Sequence, residues 1–202
     1  MKHWIRFLAI IYITSSVFGQ HQQPKDLGIG FAIASNPYEL NKAALSKQLF
    51  KDKALTQKWS SESIAPFFFK PDYGLCHFIC LEKTTTYYKI LANGNEVAYL
   101  ANDTTYYFKT WETVLLQSTI QRQSKDNPIQ KECVVNGEII TNDCEFDQMT
   151  VNDVTQKNNE HWLYVSFSSD CENQSQENST FQYGWIKWRI GNKLLINILL
   201  LC

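Results

Sequence analysis

From Pro66 onward, apolar and aromatic residues come in short runs with a period near two, and most runs close on an Asn-Gly, Gly-Asn or Asn-rich turn. Such punctuation leaves little room for long helices and directs the chain into antiparallel strands joined by hairpins. Strands are predicted over Leu75 to Glu82, Thr85 to Ala92 and Glu96 to Ala101, with Asn93-Gly94-Asn95 as a hairpin turn. Tyr106 to Trp111 is apolar and aromatic, and Thr113 to Gln121 leads into a second β region. There Val134-Val135, Asn136-Gly137 and Glu138 to Ile140 read as a short hairpin. Glu145 to Val154 and His161 to Phe167 flank the turn Gln156-Lys157-Asn158-Asn159. Residues 168 to 180, rich in Ser, Asn, Gln and Glu, read as a solvated loop. Gln182 to Arg189 and Lys193 to Leu201 are the last two strands, turning at Gly191-Asn192.

One segment departs from this pattern. Asn36-Pro37-Tyr38-Glu39 has the form of a helix start: Asn as the cap, Pro in the first helical position and Glu three residues after the cap. A long helix is expected from there to about Lys58, with Leu45, Leu49 and Phe50 on its apolar stripe. Residues 20 to 35 read as a lead segment with a turn at Gly28-Ile29-Gly30.

The N-terminus has the three parts of a secretory signal. Lys2, His3 and Arg6 are basic, Phe7 to Val17 is apolar, and Val17-Phe18-Gly19 ends the segment. The apolar run is shorter than the ~20 residues a membrane-spanning helix needs. Residues 1–19 are therefore expected to be cleaved, with the mature chain beginning near Gln20 and addressed to the periplasm or the exterior. No Cys follows the cleavage point as a lipid attachment site, and no membrane span is expected after cleavage. The apolar ending Leu194 to Leu201 is too short to span and is interrupted by Asn197. Without Lys2 and Arg6, 17 of the 19 basic residues remain against 20 acidic ones, a net charge of -3. Nucleic acid is not an expected partner of such a chain.

Export permits disulfides among Cys76, Cys80, Cys133, Cys144, Cys171 and Cys202. A hairpin centred between Lys157 and Asn158 would set Val154 opposite His161 and Val151 opposite Tyr164, and the same register sets Cys144 opposite Cys171. Directly opposed Cα atoms lie ~4.5 to 5.5 Å apart, a separation a disulfide accepts. Cys76 and Cys80 would be ~13 Å apart along a strand, too far to bridge. They read as small core residues on one face with Phe78. Cys133 and Cys202 have no assigned partner. Asn102, Asn173 and Asn178 begin Asn-X-Ser/Thr sequons that would accept glycans in a eukaryotic secretory pathway.

Two segments share a layout. Tyr87-Tyr88-Lys89-Ile90 is followed by Asn93-Gly94 and Ala98-Tyr99-Leu100. Trp162-Leu163-Tyr164-Val165 is followed by the loop at 168–180 and Gly184-Trp185-Ile186. The loop absorbs the extra length of the second copy at little entropic cost. The second segment, with Arg122 and Pro128 ahead of it, resembles bacterial Src-homology-3-like (SH3-like) domains over about 120 to 190. Their pattern is Trp, aromatic, variable, Val, a turn, then Gly-Trp-Val. The first segment resembles a degenerate module of the same kind, with Ala98 in place of Gly. The whole chain also resembles exported proteins of Bacteroidetes-type bacteria that end in Gly-Trp-Ile-Lys-Trp-Arg and a final apolar strand. The resemblance implies a mainly β fold, with an SH3-like small barrel at the C-terminal side (113–202). A β region bearing one long α-helix (20–112) precedes it. It also implies binding to cell-wall peptides or positioning of partner domains.

Strand alternation puts Leu163, Val165 and Phe167 on one face, with Gly184, Ile186 and Trp188 beside them. Trp162, Tyr164, Tyr183 and Trp185 then gather on the opposite face as candidate ligand-binding residues. Aromatic rings there offer large contact area at low entropic cost to a protein, peptide or cell-wall glycan. The competing reading is that another part of the chain covers this face. No catalytic residue is assigned. His77 adjoins Cys76 but points to the opposite face of its strand, and His161 belongs to no nucleophile motif. No metal set, phosphate loop or cofactor motif is present. The chain is expected to be an exported, non-enzymatic binding module. A periplasmic inhibitor or immunity protein, or a structural subunit of an envelope complex, is the alternative.

Overall fold

The computed structural model describes residues 23–60, 64–116, 118–142, 144, 148–168 and 181–200. The expected signal segment, the loop at 169–180, Cys171 and Cys202 lie outside the described residues. The protein is mainly β and antiparallel throughout.

A first sheet comes from the N-terminal half. Its strands are β1 (Gly30–Ala34), β2 (Phe68–Lys70), β3 (Leu75–Lys83), β4 (Tyr87–Ala92), β5 (Glu96–Ala101) and β6 (Tyr106–Thr110), in the order β5-β4-β3-β1-β6 with β2 also on β3. The second sheet is a curled half-barrel. It contains β7 (Thr119–Arg122), β8 (Ile129–Gln130), β9 (Ile139–Ile140), β10 (Gln148–Lys157), β11 (Glu160–Ser168), β12 (Phe181–Ile190), β13 (Lys193–Leu194) and β14 (Ile196–Leu199). Its order is β14-β7-β10-β11-β12-β8-β9, with β13 on β12. Among the described residues there are also two short α-helices, α1 (Lys42–Gln48) and α2 (Trp111–Leu115), and a 3-10 turn at Pro71–Tyr73; α2 joins the sheets.

The layering follows from which residues each strand turns inward. Phe31, Ile33, Ile79 and Leu91 of the first sheet share one buried cluster with Met149, Val151, Leu163, Val165, Phe167, Ile186 and Trp188 of the second. The opposite face of the first sheet buries Ala32, Cys76, Phe78, Cys80, Ile90 and Leu100 against Leu45 and Leu49. The first sheet is thus a middle layer, covered on one side by the second sheet and on the other by α1 and its flanking loop. Cys76 and Cys80 are small, fully buried core residues on that inner face with the equally buried Phe78.

The segment 20 to 35 is not only a lead. Its residues Gly30–Ala34 form the most enclosed strand, buried at every position. A strand buried on both faces loses its alternation, so Gly-Phe-Ala-Ile-Ala carries no period-two signal. Gly30 is required by close approach: a Cβ there would sit 2.2 Å from the Lys109 carbonyl oxygen.

The long helix from Asn36 to about Lys58 is corrected to a single two-turn helix. Its cap is Asn41, whose side chain accepts from the Ala44 amide at 2.9 Å. Pro37 instead closes a turn, its carbonyl accepting from Leu40 N. At Leu49 the backbone becomes extended, and Phe50 bridges to Tyr99 of β5. Asp52 then gathers the Thr56 and Gln57 amides, a local bonding pattern that competes with helix continuation.

Two hairpins differ from expectation. Val134 and Val135 are in a loop, and Ile139–Ile140 pairs with Ile129–Gln130. In the β10–β11 hairpin the turn residues are Asn158 and Asn159, with φ of 53° and 61°, the left-handed pair of a two-residue turn. Val154 therefore faces Leu163, not His161. A bulge at Asn152 shifts the register again, so that Val151 faces Val165 instead of Tyr164. β10 starts at Gln148, so Cys144 lies before the ladder, and the hairpin register no longer supports its pairing with Cys171.

Candidate functional site

β11 and β12 run antiparallel, with Tyr164 directly opposite Trp185 and Ser166 opposite Tyr183. Their alternate residues Leu163, Val165, Gly184 and Ile186 are all buried toward the first sheet. Tyr164, Tyr183 and Trp185 consequently stand on the outer face. Gly184 keeps this arrangement close to β8 and β9. A Cβ there would lie 2.5 Å from Ile129 Cγ2 and 2.8 Å from Ile140 Cδ1.

The three rings form one contiguous group. Tyr164 and Tyr183 are stacked, with centroids 5.9 Å apart and planes at 21°. Trp185 lies 5.0 Å from Tyr164 at 43°. Tyr183 is 53% exposed, and Tyr164 and Trp185 are partly exposed. The covering role that the N-terminal region could have played is spent on the opposite face of this sheet.

Trp162 has a different environment from the other three. It is only 1% exposed, and the Lys187 ammonium lies 5.1 Å from its ring centroid. Lys187 is in turn held by Glu160 at 2.6 Å. Trp162 thus anchors the end of the platform beneath an ion pair, whereas Tyr164, Tyr183 and Trp185 offer accessible ring surface. The charge of Lys187 is met locally, which leaves the rim polar. Asn152 at the β10 bulge donates to Ser166 Oγ at 3.0 Å, and Asp153 stands opposite Tyr164. The bulge brings these polar groups beside the rings, a feature that period-two reading of the sequence could not anticipate.

Beyond the platform, His161 Nε2 lies 2.8 Å from Arg189 Nη2, and the Arg189 guanidinium stacks over Trp188 at 4.9 Å. Burial and then the Arg189 charge lower the His161 pKa. His77 is enclosed by Phe31 and Phe68, and burial, aided by Lys109, pushes its pKa down to about 4. Burial pushes the Cys76 and Cys80 thiols up to about 12, so both stay protonated near neutral pH. A buried thiol of that kind is a poor nucleophile. Among the described residues no group of three or more His, Cys, Asp and Glu side chains could hold a metal ion. No helix among them is long and apolar enough to cross a membrane. The expected pair Cys144 and Cys171 cannot be placed together, because Cys171 lies outside the described residues; Cys144 itself is buried.

Comparison with protein-family models, with curated proteins and with solved structures finds no match to this chain.

Proposed function

We propose that this protein is an exported, non-enzymatic binding module that holds a protein, peptide or cell-wall glycan partner on the outer face of its second sheet. The Src-homology-3-like region of this reading is the curled part of that sheet from β7 to β12, with Gly184-Trp185-Ile186 at its centre. The observation that carries the proposal is the ring group Tyr164, Tyr183 and Trp185, packed on one another and left accessible to solvent. Large, stiff aromatic side chains give contact area with few rotors to immobilise, and a polar rim supplies orientation.

The test uses the mature protein against purified peptidoglycan sacculi and against a panel of defined cell-wall glycans and peptides. Binding is expected to fall about tenfold or more in Trp185→Ala and Tyr183→Ala, equivalent to ~1.4 kcal/mol or more. The thermal midpoint of Tyr183→Ala should change little. Binding that survives both substitutions would reject this face as the site.

A further inference from the structure

We infer that the free edge of the first sheet, strand β6, takes an added strand from an extended, acidic peptide. This surface is on the other sheet from the aromatic platform, so the two proposals fail or stand separately.

Among the described residues the two strand orders end on β5, β6, β14 and β9, and β2 and β13, of three and two residues, are also paired on one side only. Of the four end strands, three are short or carry a partner on the free side. On β5, Phe50 exchanges both main-chain bonds with Tyr99, each 2.9 Å. On β14, the Gln123 side chain donates to the Ile196 carbonyl at 3.0 Å. β9 has only two residues. Short or covered edges are the usual protection against unwanted strand pairing. β6 is five residues long, and its exposed residues include Tyr107, Lys109 and Thr110.

The phase of its hydrogen bonding is set by Ser35 N, which donates to the Thr105 carbonyl at 2.9 Å. Because bonded pairs alternate along an antiparallel ladder, Thr105, Tyr107 and Lys109 bond toward β1. Tyr106 and Phe108 therefore turn their N–H and C=O groups outward. No other main-chain group among the described residues bonds to these four. They form a two-residue docking strip of the type used in strand addition.

Charge selects the partner. Lys109 Nζ lies 5.9 Å from the Tyr107 ring centroid, and Lys83 Nζ lies 5.2 Å from that of Phe108. Adjacent strand residues point to opposite faces, so one ammonium flanks the edge on each side. Neither makes an ion pair among the described residues. The acidic groups nearby in sequence are occupied or displaced: Asp103 caps the Thr105 amide, Glu82 accepts from Tyr87 Oη, and Glu112 belongs to α2. A second copy of the chain pairing through β6 would bring four ammonium groups to one seam. An incoming strand with carboxylates on both faces would neutralise two.

The test titrates the mature protein with a capped peptide of Glu-Glu-Val repeats, using a Lys-Lys-Val peptide as the control. Amide exchange at Tyr106 and Phe108 should slow about tenfold or more with the acidic peptide only. The double variant Lys83→Glu/Lys109→Glu should lose that effect and gain it with the basic peptide. Acidic peptide N-methylated at alternate residues, in either phase, removes its ladder donors without altering the protein and should bind in neither phase. Protection elsewhere, equal binding of the double variant, binding that survives methylation in both phases, or a peptide-free dimer protected at β6 would each overturn the proposal.

Discussion

Tyr164 stacks on Tyr183 across the β11–β12 ladder, their ring centroids 5.9 Å apart and their planes at 21°. The two are diagonal neighbours on the outer face, since Tyr164 is opposite Trp185 and Ser166 is opposite Tyr183. Diagonal aromatic contact of this kind is within the reach of large side chains. It orients the rings in advance, so that a ligand need not order them.

The four aromatic residues of this face should separate by stability. Trp162 is 1% exposed, and Trp162→Ala is expected to cost ~3 to 5 kcal/mol, the range for emptying a buried aromatic site. Tyr183, at 53% exposed, should cost less than ~1 kcal/mol when changed to Ala. Chemical denaturation of the two variants checks this directly. Equal losses would show that the platform is not divided into a buried anchor and accessible rings.

Gly184 is held to its identity by space. Gly184→Ala places a methyl against Ile129 and Ile140 side chains, with the Gln130 carbonyl 3.0 Å away. Overpacking of this kind costs ~1 to 3 kcal/mol. The double variant Gly184→Ala/Ile140→Val should recover part of that loss, because it removes Ile140 Cδ1, which lies 2.8 Å from the added Cβ. A melting point unchanged by Gly184→Ala would show that β8 gives way freely.

The sequence made the β character readable because turn residues and strand alternation agree from Pro66 onward. β5 coincides with the expected Glu96 to Ala101, and its partner β4 ends at Ala92 as expected but begins at Tyr87 and not Thr85, since both local cues converge at the turn between them. The inward and outward faces of β11 and β12 were legible for the same reason. β1 was not, because burial on both faces erased its period. The helix was overextended because Asn36-Pro37 and Asn41 both satisfy a capping pattern. Tertiary bonding of Phe50 to β5 decides where the helix must stop. Trp162 shares the face that alternation assigns to it, but it is buried beneath the Lys187–Glu160 pair, a contact that no periodicity reports.

Stability should fall as pH drops from about 6.5 to 4. The folded state holds His77 neutral, with its pKa lowered from 6.5 to about 4 by burial and by Lys109. Between those values the unfolded chain binds more protons, so the native state loses stability on acidification. The full contribution is present above about pH 6.5 and is lost by about pH 4, a change on the order of 3 kcal/mol. His161, shifted in the same direction, adds to the trend. Denaturation curves across this window, compared with His77→Phe, should show a shallower slope in the variant. Parallel slopes would remove His77 as the cause.

Cys76 and Cys80 are free, fully buried and held protonated, and Cys133 is free and partly exposed. Brief alkylation of the native protein should therefore label Cys133 first, and label Cys76 and Cys80 only after unfolding. If the protein is exported as proposed, Cys144 is expected to be linked to Cys171. With the hairpin register corrected, that link rests on export and on position: β11 ends at Ser168, shortly before Cys171, and β10 begins at Gln148, shortly after Cys144. Gln148 of β10 and Ser168 of β11 lie at the same end of one antiparallel pair. A disulfide there would close that end and stabilise the pair by ~2 to 4 kcal/mol. Non-reducing peptide mapping of trapped protein should recover a Cys144–Cys171 peptide. Recovery of Cys144 linked to Cys133 or Cys202, or as a free alkylated thiol, would reject the pairing.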